Sequence, residues 1–81
     1  MINKGTDFPQ YRKLSNNKVF YKILDDRNFE ELQIVGTKCF LYNVNASKYP
    51  EILRISEMIS LTLPNFEKIQ SEEYEKIKGG L

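Results

Sequence analysis

The sequence predicts an α+β fold: a small antiparallel β-meander of four to five strands with a short C-terminal helix. Three features lead there. Between Tyr11 and Ala46 apolar and polar residues alternate, and β-branched and aromatic side chains dominate, as strands prefer. The segments between these runs are short and rich in Asn, Asp and Gly, which suits hairpin turns and leaves no room for the long crossover of parallel neighbours. The final residues carry acids and then lysines and glycines, the charge order that suits a helix.

Taken in order, Tyr11–Leu14 is the first strand, with Pro9 near its start, one of the few strand positions proline tolerates. Ser15-Asn16-Asn17-Lys18 follows as a turn, because asparagine accepts positive φ. Val19–Leu24 is the second strand, with Val19, Tyr21 and Ile23 on one face and Phe20, Lys22 and Leu24 on the other. Asp25-Asp26-Arg27-Asn28 is a polar turn. Phe29–Val35 is the third strand, Gly36-Thr37 a turn, and Lys38–Ala46 the fourth strand, with Phe40, Tyr42, Val44 and Ala46 sharing a face. Residues 47–63 admit two readings. Pro50 suits a helix start and places Ile52, Ile55 and Ile59 on one stripe, with Met58 close by. The alternation of Leu53 with Ile55, and of Ile59 with Leu61 and Leu63, favours strand, and strand around Ile52–Ser56 is the expectation here. Pro64-Asn65 is a turn and Phe66–Ile69 a short strand. Ser71 reads as the N-cap of the last helix, Tyr74 and Ile77 as its apolar face, and Gly79 as its C′ residue.

The domain division is a disordered polar segment at 1–7 and a single domain over 8–81. The expected core occupies one face of the sheet: Tyr21, Ile23, Leu32, Ile34, Phe40, Tyr42, Val44, Ile55 and Ile59. The other face is expected to stay open to water or to a partner.

The chain has 81 residues, 12 basic against 11 acidic, for a net charge of +1, so no strong field draws it to nucleic acid or to an anionic membrane. Its one cysteine, Cys39, fits a reducing compartment rather than a disulfide scaffold. Asn3, Lys4 and Asp7 interrupt the apolar stretch a secretory leader requires, and no apolar run is long enough to cross a bilayer. The expected location is cytoplasmic, which makes Asn45-Ala46-Ser47 a chance sequon match.

Catalytic patterns are sparse. There is no histidine, which removes the side chain best suited to proton transfer near neutral pH and leaves Cys39 without an imidazole base. One cysteine and no histidine do not make a zinc site. The glycines are scattered and none precedes a Walker-type lysine. Asp25-Asp26 reads as turn chemistry and Glu72-Glu73 as a helix N-terminus, while Glu30 and Glu31 point to opposite faces of a strand. Cys39 reads as a small apolar strand residue, and Gly79-Gly80 as helix termination rather than a modifier tail. The expectation is therefore a protein that is not an enzyme, with no cofactor, no metal and no membrane insertion.

Two binding readings follow. The first is an interaction module, engaging a protein partner or itself through an edge strand or an open sheet face. The alternative is a single-stranded nucleic-acid-binding sheet, in which aromatics stack bases and cations follow phosphates. Its residues would be Tyr11, Arg12, Lys13, Lys18, Phe20, Lys22 and Lys38.

The runs Tyr11-Arg12-Lys13-Leu14-Ser15-Asn16-Asn17, Phe20-Tyr21-Lys22-Ile23, Phe29-Glu30-Glu31-Leu32-Gln33 and Tyr49-Pro50-Glu51-Ile52 resemble a group of short, uncharacterised bacterial single-domain proteins. That resemblance spans more than half of the chain. It implies a stand-alone bacterial domain and carries over no activity and no site residue.

Overall fold

A computed structural model describes residues 8–61 and 63–80, so the expectation of disorder at 1–7 lies outside the described residues. The elements in chain order are β1 (Gln10–Leu14), β2 (Val19–Ile23), β3 (Asn28–Val35), β4 (Lys38–Asn45), α1 (Tyr49–Ser60), β5 (Phe66–Lys68) and α2 (Ser71–Lys78). They form an α+β fold around one five-stranded antiparallel sheet of order β4-β3-β2-β1-β5. The first four strands are a meander; β5 returns to the far edge and pairs with β1.

Local chemistry accounts for the hairpins. Asn17 takes φ 62° in the first turn and Gly36 takes φ 64° in the third, the left-handed region that these two residue types enter at low cost. In the second turn the Asp25 carboxylate accepts the Arg27 N–H at 2.8 Å and the Asn28 amide at 3.0 Å. The Arg27 bond leads the interactions that hold the Asp25 carboxyl below its usual range, against the opposing effect of burial.

The strand register corrects the expected core. Tyr21 pairs with Glu31, Ile23 with Phe29, and Phe20 with Leu32. Leu32 and Ile34 therefore lie on the face opposite Tyr21 and Ile23, and the expected single core is in fact two. On one face Tyr21, Ile23, Phe29 and Ala46 bury against Ile55 and Met58 of α1. On the other, Phe20 and Leu32 bury against Tyr74 of α2, with Ile34, Cys39 and Leu41 at its margin. Neither face is left wholly open: each carries one helix.

Segment 49–60 is helix, not the strand expected around Ile52–Ser56. The short alternating windows were compatible with both periods. What decides is the larger burial available to the helical stripe, which sets Ile55 and Met58 into the face made by Tyr21, Ile23 and Phe29, with Ile52 and Ile59 beside them. The Lys48 carbonyl accepts the N–H groups of Glu51 and Ile52, both at 3.1 Å, to start the helix. Leu61 ends it in the left-handed region at φ 55°, where its N–H donates to the Glu57 carbonyl at 2.9 Å. A leucine there costs about 1–2 kcal/mol and gives no glycine stop signal to read.

At α2 the N-cap is Gln70, and Ser71 is the first helical residue rather than the cap. Gly79 closes this helix at φ −65°, a right-handed conformation open to any residue, so its expected left-handed role is not used.

Two buried phenols make stability fall in alkali. Tyr21 stands edge-on to Phe29 and Phe66, with ring centroids 5.9 Å apart in both pairs. Burial, and next the Glu31 charge, push its pKa up from 10.0 to about 12, against the opposing pull of Arg54. Burial likewise raises Tyr74, aided by its hydrogen bond to Glu30. A raised folded-state pKa means full stability below pH 10 and loss as the unfolded chain ionises first. The unfolding free energy should fall between about pH 10 and 12 with a slope approaching ~1.4 kcal/mol per pH unit for each of these tyrosines. Urea unfolding at a series of alkaline pH values checks this; a flat profile would mean that both phenols are solvated.

Candidate interaction surface

The two edges of the sheet differ. β5 is three residues long, whereas β4 is eight and pairs with β3 in unbroken register from Val35↔Lys38 to Asn28↔Asn45. Natural edges are commonly blunted by short length, a bulge, a proline or inward charge. β4 has none of these along its length; its one charged residue, Lys38, sits at the end beside the turn. Among the described residues nothing pairs with its outer side.

Backbone phase shows which groups point outward. Antiparallel residues direct both N–H and C=O to the same side, alternating along the strand. The Ile34 N–H donates to the Lys18 carbonyl on the β2 side at 2.8 Å, so its neighbour across the ladder, Cys39, faces away from β3. The Ala46 N–H donates back to Arg27 at 2.6 Å, which fixes the same phase from the other end. The amides and carbonyls of Cys39, Leu41 and Asn43 are thus presented at the free edge. Asn45 shares this phase, but its carbonyl already accepts the Ser47 N–H at 2.9 Å.

Phe40 and Tyr42 flank this edge on the α1 face, in line with Val44. They were expected in the core, yet they remain 43% and 47% exposed. The reason is width: α1 covers the rings of β2 and β3 and reaches β4 only at Val44, so Phe40 and Tyr42 lie outside its footprint. Beneath the two rings, Gln33 pairs with Phe40 and Glu31 with Tyr42, and the Gln33 amide donates to the Glu31 carboxylate. Val35, at the turn end of the same row, is 60% exposed. The signal for this surface was present in the sequence as the row Phe40, Tyr42, Val44; what it lacked was the position of its cover.

The seven residues of the nucleic-acid reading are divided among different surroundings. Tyr11, Lys13, Phe20 and Lys22 lie on the α2 face and are engaged by that helix. The Tyr11 ring packs at a tilt against Tyr74 with centroids 5.4 Å apart, Lys22 lies over the Tyr11 ring at 5.9 Å and 3.5 Å from Glu75, and Phe20 is buried. The Lys13 ammonium donates to Asn17 at 2.6 Å, with Glu67 at 3.9 Å and Glu73 at 4.0 Å. Lys18 is exposed in the first turn and Lys38 is exposed at the start of β4. Arg12 points the opposite way, is only 3% exposed, and is part of the framework. Its Nε donates to the Met58 carbonyl at 2.7 Å, and Nη2 to Ile59 at 3.3 Å and Gln10 Oε1 at 2.7 Å, while Nη1 reaches its neighbour Tyr11 at 2.7 Å. Burial lowers its pKa. The alternating rings and cations are thus largely the seat for α2, and the buried Arg12 ties down α1.

An open depression of about 260 Å³ lies beside the second turn, lined by Leu24, Asp25, Asn28, Phe29, Asn43, Val44 and Asn45. Two of its amides are already engaged, with Asn45 donating to Asn28 at 2.7 Å and Asn28 donating to Asp25 at 3.0 Å. Among the described residues no group of three or more acids or cysteines gathers to hold a metal ion. No helix among them is long and apolar enough to cross a membrane.

No family model, curated protein or solved structure matches the chain.

Proposed function

We propose that this chain is a non-enzymatic interaction module of the cytoplasm, which recruits an extended polypeptide strand along the outer edge of β4. The observation that carries this reading is the free backbone run at Cys39, Leu41 and Asn43, set beside the exposed rings of Phe40 and Tyr42. Strand addition draws affinity from main-chain hydrogen bonds and specificity from alternate side chains. The edge supplies the first and the two rings supply the second. The short β5 at the other side of the sheet offers far less.

The test is a panel of strand-forming peptides with alternating apolar residues, titrated into isotopically labelled protein. The expected result is a set of shifts centred on the amides of Cys39, Leu41 and Asn43, with slowed hydrogen exchange at those three groups. Binding confined to the depression at Asp25, or no binding by any peptide of the panel, would overturn the reading.

A further inference from the structure

We propose that the strand received by the β4 edge is β4 of a second copy of this chain, paired antiparallel about a two-fold axis at Leu41. This rests on the reading of β4 as a recruiting edge and names its occupant.

The argument is self-complementarity. An isologous contact requires a patch that matches itself after a two-fold rotation. The free run Cys39, Leu41, Asn43 is symmetric about its middle residue. Placed antiparallel on itself, it makes Leu41 face Leu41 and makes each Cys39 face an Asn43. All three facing pairs are then of the hydrogen-bonded kind, in which each residue donates to and accepts from the other. Every outward donor and acceptor of the run is satisfied by the same three residues of the second chain.

The side chains support the same register. With Leu41 at the axis, Phe40 of each chain faces Tyr42 of the other on the α1 side, twice over. These fall at the non-hydrogen-bonded positions, where side chains approach most closely, and aromatic pairs are favoured there. Lys38 faces Val44, so no cation meets a cation. Shifting the axis to Tyr42 calls on the Asn45 carbonyl, which Ser47 already occupies. Shifting it to Phe40 draws Thr37 out of the third turn to complete the ladder. The Leu41 axis uses only groups that the fold leaves free and covers the two large rings that α1 leaves bare. The product is one continuous sheet joining two copies of the five-stranded unit through their long edges.

The experiment is sedimentation equilibrium in solution by analytical ultracentrifugation of the full chain, followed by variants. The wild type should sediment as a dimer with a concentration-dependent monomer fraction. Asn43→Pro removes an amide that points away from β3 at an exposed side chain, a strand-edge position where proline is tolerated. It should leave the circular dichroism unchanged and weaken the dimer on the order of thirtyfold, through the two bonds lost across the pair. Register is read with a charge pair that does not depend on proline. A chain carrying Phe40→Lys and Tyr42→Lys, and a chain carrying Phe40→Glu and Tyr42→Glu, should each be monomeric alone and dimerise when mixed.

A wild type that stays monomeric at millimolar concentration overturns the second copy as occupant. So does a dimer that Asn43→Pro leaves intact, or charge variants that fail to pair when mixed. The peptide titration stands apart from these results: shifts at Cys39, Leu41 and Asn43 in a strictly monomeric protein would retain the recruiting edge and reject only its self-pairing.

Discussion

Arg12→Met should lower the unfolding free energy by about 3–5 kcal/mol, the scale expected when one member of a buried charged network is removed. A small domain has only about 5–15 kcal/mol in all, so the urea midpoint should move far and the variant should sit near its folding limit. The cause is positional. α1 carries no basic residue in its own last turn, and its terminal carbonyls form the negative end of the helix. Arg12 reaches across from β1 to supply that charge, bonding the carbonyls of Met58 and Ile59. Methionine fills similar space but leaves both carbonyls without this donor in a buried setting. Arg12→Lys should fall between, because an ammonium cannot reproduce the planar fork that reaches Met58, Ile59, Gln10 and Tyr11 together. A loss under about 1 kcal/mol for Arg12→Met would show that the guanidinium is solvated and that α1 is held by its apolar stripe alone.

The second large effect is at Tyr74. Tyr74→Ala should cost about 3–5 kcal/mol, as truncation of a fully buried ring does. This ring is the main apolar anchor of α2 against Phe20 and Leu32. Its hydroxyl donates to Glu30 at 3.0 Å, and Lys78 donates to the same carboxylate oxygen at 3.1 Å. Burial alone would raise the Glu30 pKa, but these two hydrogen bonds and the Lys78 charge overcome it and hold the carboxyl below its usual range. Tyr74→Phe keeps the ring and removes only the hydroxyl, so it should cost about 1–2 kcal/mol. Chemical denaturation of the two variants separates packing from hydrogen bonding. The alanine variant should also bind a hydrophobic dye, since α2 would release the face that Phe20 and Leu32 form. Equal losses for the two variants would assign the whole effect to the Glu30 contact.

Much of the sheet was legible because its signals are local. The alternation in Val19–Ile23 and Lys38–Asn45, the asparagine at position 17 and the glycine at 36 depend only on neighbours along the chain. α1 was not, since Ile52, Ile55 and Ile59 fit a helix while Leu53 with Ile55 fits a strand, and Leu61 gives no stop signal. The interaction surface was half legible. Phe40 and Tyr42 were correctly placed on one face, but apolar rings on a strand read as core until the width of the cover is known.

Arg12 and Lys22 illustrate the same limit from the polar side. In sequence both belong to a row of rings and cations, yet alternation along β1 and β2 and the pairing of those strands direct them to opposite faces of the sheet. One becomes the cap of a helix distant in sequence, the other an ion pair with α2.

By itself the sequence determined that four hairpin-linked strands form, where they turn, and that a short helix follows them, because turn chemistry and two-residue periodicity act over a few residues. Only the tertiary structure decided that the chain has two cores rather than one, that residues 49–60 coil into a helix, and that β4 is left at the rim with its rings bare. Those outcomes turn on register and on which surfaces remain to be covered, and burial of apolar area is a property of the assembled layers rather than of any segment alone.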